Sequence, residues 1–182
     1  MKYTRTNKEL KKFSEFAIQR AQLELGTTRT IRGRKVRRVA GGALQKSLYS
    51  TKVEKNGRLR ILFKSKVDYA DFIHDGVNGT KVNVGSRYSF TKQNINTDWI
   101  ETWLKQKRIR LTKSRGKKGR VFVKSTEANI KSAAFAIGRS IARNGIAPVP
   151  FMQLGVEAAL KKFDNRIVDA IEYDLGKDLD DI

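Results

Sequence analysis

The chain contains no cysteine and a single histidine, His74. Disulfides and thiolate zinc sites are thereby excluded, and no second imidazole is present for a histidine-based metal site. Long apolar runs are missing too: no segment approaches the roughly 18 uninterrupted apolar residues of a membrane span. The N-terminus, Met1-Lys2-Tyr3-Thr4-Arg5, leads into alternating charge instead of an apolar stretch. A chain that is neither membrane-spanning nor exported by an ordinary signal peptide is expected, and a cytoplasmic assembly environment fits. Acid is the remaining scarcity, with 18 Asp and Glu against 39 Lys and Arg, a net charge of +21 in 182 residues.

The shortage of acid is local. Between Glu24 and Glu54 there is none, while Arg29, Arg32, Arg34, Lys35, Arg37, Arg38, Lys46 and Lys52 are all basic. Between Glu101 and Glu127 there is again none, and that window holds Lys105, Lys107, Arg108, Arg110, Lys113, Arg115, Lys117, Lys118, Arg120 and Lys124. The C-terminal end reverses sign, with Asp164, Asp169, Glu172, Asp174, Asp178, Asp180 and Asp181 against Arg166 and Lys177. Segregated charge repels itself within one subunit, so it points to oppositely charged surfaces that meet partners.

Periodicity sorts the chain into elements. Leu10, Phe13, Phe16, Ala17 and Ala21 recur at three- and four-residue spacing, which predicts a helix over 7–25 ended by Gly26. Residues 27–38 lack both periodicity and apolar content and are expected to be a basic arm or loop, as are 112–120. Ala43, Leu44, Ser47 and Leu48 suggest a short helical approach to a hairpin. There the Asn56-Gly57 dipeptide suits a type I′ turn and Leu59, Ile61 and Phe63 alternate. Tyr88–Phe90 and Val121–Val123 read as short strands. Asp98 is expected to cap a helix, with Glu101 three residues on and Trp99, Ile100, Trp103 and Leu104 on one face. Ile130, Ala133, Ala134, Ile137 and Ile141 define another helix. Val156, Leu160, Phe163, Ile167, Ile171 and Leu175 continue at near-heptad spacing in a long C-terminal one, followed by an acidic tail over 176–182. The expected fold is one α+β domain over 1–182, a small antiparallel sheet packed against three or four helices, with long basic loops.

Two patterns stand apart. "YADFIHDGVNGT" at 69–80 reads as a buried strand edge or short helical turn running into Gly76, where the chain turns. "FAIGRSIARNGIAPVPFM" at 135–152 is a helix closed by Asn144-Gly145, with Pro148 and Pro150 framing Phe151-Met152. Together they resemble the tail-completion, or head–tail joining, family of tailed bacteriophages, in which a Tyr-Ala-x-Phe/Tyr-Val/Ile segment ends in an acidic residue and Gly and a Pro-Phe precedes a C-terminal helix. The residues that carry the match are Tyr69, Ala70, Phe72, Ile73, Asp75, Gly76, Pro150 and Phe151. "GGALQKSLYS" at 41–50 and "WIETWLKQKRI" at 99–109 are similar to further family segments in the same order, so the resemblance covers roughly 40–175. Tyr69, Phe72, Ile73 and Phe151 are expected to pack together against the Ile130–Ile141 helix, with Gly76 and Gly145 in turns.

Little in the sequence carries chemistry. Asp71, His74 and Asp75 set two carboxylates beside the imidazole, a combination suited to general acid–base work, but a structural role is the reading taken. No nucleophile with a supporting base and no Gly-rich phosphate loop before a helix is present. Trp99 and Trp103 are read as core, and Asp178, Asp180 and Asp181 as a solvated terminus rather than a cation site. The chain is read as non-enzymatic, without catalytic, metal or cofactor residues.

The resemblance implies a virion structural subunit, a homo-oligomeric ring at the head–tail neck around the DNA passage. Its neighbours would be portal or adaptor proteins on one side and tail-tube or terminator proteins on the other. In that ring Arg29, Arg32, Arg34, Lys35, Arg37, Arg38, Lys113, Arg115, Lys117, Lys118 and Arg120 face partners or DNA, and Asp169, Glu172 and Asp174 lie between subunits. The alternative that charge alone favours is a basic nucleic-acid-binding protein acting through phosphate contacts.

Overall fold

A computed structural model describes residues 3–31, 34–37, 42–55, 58–92, 95–114 and 119–180. The chain divides into two compact units, one formed by 1–74 with 149–182 and one by 75–148. Both ends of the chain therefore belong to the first unit, and the second is inserted between them.

The first unit is built on two long helices, α1 (Thr4–Gly26) and, from the other end of the chain, α6 (Phe151–Asp180). They run antiparallel, because Thr6 meets Asp174 at one end and Ala21 meets Gly155 at the other. Their seam is made of small residues. A Cβ on Gly155 would run into the carbonyl of Ala17 and lie 3.0 Å from both the amide nitrogen and the Cβ of Ala21. Ala17, Ala21 and Ala159 are fully buried beside it. Phe13 and Phe163 widen the seam further along and meet edge-on at 6.3 Å.

Of the heptad face expected for α6, Phe163 is buried and Val156 and Ile167 pack beside it, but the rest of that face turns outward. The buried positions are Phe151, Gly155, Ala159, Phe163, Ala170 and Asp174, whereas Leu160, Ile171 and Leu175 are exposed. Where Gly155 and Ala159 meet Ala17 and Ala21 the seam leaves no room for a large side chain, and it widens only toward Phe13 and Phe163. The helix also runs through 176–180, where an acidic tail was expected; 181 and 182 lie outside the described residues.

Between α1 and α6 in the chain come a ribbon of β1 (Thr28–Ile31) and β2 (Arg34–Arg37), helix α2 (Ala43–Ser47), and the hairpin of β3 (Leu48–Lys55) and β4 (Arg58–Ser65). The hairpin pairs Lys55 with Arg58, so two residues connect the strands; Asn56-Gly57 itself lies outside the described residues. Burial alternates along β4, and Ile61 and Phe63 pack on the Phe13–Phe163 cluster. A second cluster joins Ala21, Leu25, Leu44, Leu48, Ala70, Val149 and Phe151.

The second unit packs α4 (Asp98–Gln106) and a ribbon of β5 (Leu111–Ser114) and β6 (Arg120–Val123) on α5 (Glu127–Asn144). Ile100, Leu104, Leu111, Ile130 and Ala134 form its core. Thr126 caps α5 by accepting the Asn129 amide. Asp98 does not cap α4: it is the first helical residue, and its amide donates to Asn96 Oδ1 at 2.8 Å. Trp103 packs on the core, but Trp99 is exposed and so departs from the expected shared face. The fold class is α+β as expected, with α1, α4, α5 and α6 as the longer helices. Among the described residues its strands form three separate two-stranded ribbons in place of one sheet.

Candidate functional site

The two motifs are brought together inside each unit. In the first unit, Ala70–His74 forms the short helix α3, Val149 donates its amide to the Ile73 carbonyl at 3.0 Å, and Ala70 and Phe151 share one core cluster. The His74 ring stands edge-on to Phe151 at 5.2 Å. Phe151 is buried and Ile73 half-buried, while Tyr69 and Phe72 are exposed. The expected four-residue cluster is therefore reduced to Ile73 and Phe151. Their core neighbours are Ala21 and Leu25 of α1; Ile130 and Ile141 belong to the core of the second unit.

In the second unit, Val77 and Ile146 exchange backbone hydrogen bonds, both at 2.8 Å. Glycines make that approach possible. Gly76 (φ 76°) and Gly145 (φ 71°) occupy the left-handed region. A Cβ on Gly145 would strike the carbonyl of Val77, and one on Gly79 would strike the carbonyl of Arg143. The glycines of each motif are thus required by the backbone of the other. Asp75 pairs with Arg87 at 2.9 Å. Asn78, which no sequence pattern had singled out, organises the following loop: its side-chain Nδ2 donates to the Ser86 carbonyl at 2.6 Å, and its Oδ1 accepts the backbone amides of Val84 and Ser86. The Asn-Gly pair at 78–79 was the available signal.

The predicted basic arms are ribbons. Arg29, Arg34, Lys35 and Arg37 lie on β1 and β2, Lys113 on β5, and Arg120 opens β6; Arg32, Arg38, Arg115, Lys117 and Lys118 lie outside the described residues. Backbone pairing ordered segments that side-chain periodicity left unassigned. The second unit as a whole holds sixteen Lys and Arg against four Asp and Glu, a net charge of +12.

Of the three acidic residues expected between subunits, Asp169 and Glu172 are exposed. Asp174 is not available: it is buried against α1 and accepts the amides of Thr6 at 2.8 Å and Arg5 at 3.2 Å. It acts as an N-terminal cap for α1 supplied from α6. The Thr6 amide, more than any other cause, holds the Asp174 carboxyl below the usual aspartate range, against the cost of burial. On the same seam, the hydrogen bond from Lys12 holds Glu9 below the usual glutamate range, with Arg166 adding to it at 2.9 Å.

Asp71 and His74 line an open hollow of about 250 Å³ with Phe63, Ser65, Phe151 and Met152. Asp75 of the same motif pairs with Arg87. Among the described residues no group of three His, Cys, Asp or Glu is arranged to hold a metal ion, and no helix is long and apolar enough to cross a membrane. Neither a family model, nor a curated protein, nor a solved structure matches this chain.

Proposed function

We propose that this chain is a non-enzymatic structural subunit of a tailed-bacteriophage virion, several copies of which close into a ring at the head–tail neck after assembly in the host cytoplasm. The juxtaposition of the two motifs carries this reading. Segments some seventy residues apart, which together resemble the tail-completion family, require one another through Gly79, Gly145 and the Val77–Ile146 bridge. Their residues do architectural work: Ala70 and Phe151 are core, and Asp75 is paired.

A closed ring needs two non-identical patches that meet head to tail. The basic second unit and the exposed acids of α6, Asp169 and Glu172, form such a pair. Surface ion pairs are individually worth only ~0–1 kcal/mol, so they steer and register the contact. Affinity comes from apolar burial, for which α6 offers Leu160, Val168 and Ile171 on its surface. Portal or adaptor proteins and tail-tube or terminator proteins are the neighbours such a ring would contact.

Particles assembled with Asp169→Lys/Glu172→Lys subunits test the reading by electron microscopy. The expected result is filled heads and free tails that fail to join, although the purified variant melts like the wild type. Normal joining removes the acidic face from the interface. Absence of the chain from purified wild-type particles by mass spectrometry overturns the neck assignment itself.

A further inference from the structure

The β5–β6 ribbon, beside the end of α4, carries an aromatic ring that core packing does not use. Side chains alternate across the ribbon: Leu111 and Val123 pack on the core, while Thr112 and its cross-strand partner Phe122 face outward. Phe122 is 73% exposed, the most exposed of the large apolar residues among those described. Burying such a ring on a ligand would be worth about 1.5–3 kcal/mol. The guanidinium of Arg110 lies 6.0 Å from its ring centroid. Lys124 follows β6 on the same outward alternation as Phe122, and Lys105, Lys107 and Arg108 at the end of α4 are exposed; among the described residues none of these four makes an ion pair. Two of the unit's four acids, by contrast, pair with cations, Asp75 with Arg87 and Glu127 with Lys131.

Arg108 adds an independent observation. It follows α4 with φ 48°, the one non-glycine residue in the left-handed region among those described, and its amide donates to the Lys105 carbonyl at 3.2 Å. Helices commonly end on glycine at such a position because a side chain there is strained. An arginine kept against that strain points to a use for its charge.

We propose that this surface binds a nucleic-acid strand, with Arg108, Arg110, Lys105, Lys107 and Lys124 taking the phosphates and Phe122 taking the face of an unpaired base. Exposed aromatic rings interleaved with cations on a β-ribbon suit that ligand, because every base offers a π-face and every linkage a charge. Such a strand site would serve a neck subunit and a freely acting protein alike, so the binding assay leaves the neck reading standing whatever its result.

Fluorescence anisotropy of the full chain with a labelled single-stranded oligonucleotide of about 20 residues, and with the matching duplex, tests it. Five phosphate contacts predict a loss of about 130-fold in single-strand affinity between about 50 and 200 mM salt. Phe122→Ala should weaken single-strand binding by about 5- to 150-fold, leave duplex binding within about twofold, and leave the melting temperature unchanged. Arg108→Gly should melt at or above the wild type yet flatten the logarithmic salt slope by about 0.7. Wild-type affinity for the single strand in Phe122→Ala, or no salt-dependent binding at all, overturns the proposal. Self-association of the chain that is abolished by the same two substitutions, without oligonucleotide binding, would assign the surface to an acidic protein partner instead.

Discussion

Replacing Gly155 with alanine sets two effects of known sign against each other. In the interior of a helix, alanine is favoured over glycine by about 1 kcal/mol, because glycine loses more backbone freedom on folding. At Gly155 the added Cβ meets the Ala17 carbonyl and sits 3.0 Å from the Ala21 amide nitrogen, both of them backbone atoms of α1. Backbone cannot rotate away as a side-chain tip would, so α1 and α6 must separate. That opens the contacts of Ala17, Ala21 and Ala159 along the seam. Overpacking of this kind costs about 1–3 kcal/mol, and more where the obstruction is rigid. The net expectation is a destabilisation of about 1–2 kcal/mol, a fall of roughly 2–8 °C in melting temperature for a chain of this size. Gly176 supplies the control. It lies on the same helix, and a Cβ added there would meet nothing within 4 Å, so Gly176→Ala should gain about 0.5–1 kcal/mol. Thermal melts followed by circular dichroism, with urea midpoints beside them, read both. A Gly155→Ala protein that melts at or above the wild type would refute the close seam between α1 and α6.

Phe151→Ala removes a ring that is 3% exposed and surrounded by Leu25, Leu44, Leu48 and Val149, so it should cost about 3–5 kcal/mol in denaturant titrations. A loss no greater than that of a surface substitution would take Phe151 out of the core. Asp174 gives a pH dependence whose sign is set by its lowered folded-state pKa. Its stabilisation is present above the ordinary aspartate value of about 3.9 and is lost as pH falls through the folded value. Asp174→Asn should therefore be less stable than the wild type at about pH 6, with a gap that narrows steadily toward about pH 2. A gap that stays constant over that range would mean the carboxylate charge plays no part in capping α1.

Local pattern alone determined a good deal of this protein. The β3–β4 hairpin follows from Asn56-Gly57 between alternating residues, α5 from Ile130, Ala134 and Ile137, and the end of α1 from Gly26, since each depends only on neighbours in the chain. The absence of cysteine and the clustering of cations were equally plain, and they directed attention to charged surfaces. What needed the tertiary structure were the distances between segments remote in sequence. The face α6 buries depends on how closely α1 approaches, and that is set by Gly155 and Ala159 meeting Ala17 and Ala21, not by where the larger apolar residues recur. Asp174 looked like one more surface acid because the amides it caps lie 168 and 169 residues away. Gly79 and Gly145 each read as a turn signal, yet they are needed because two backbones cross there with no space for a Cβ. Phe122 sits in an apolar triplet that predicts a strand, but its outward direction came only from the register with β5 and from the core already filled by Leu111 and Val123. Periodicity reports which residues are apolar; only packing decides which of them find a neighbour.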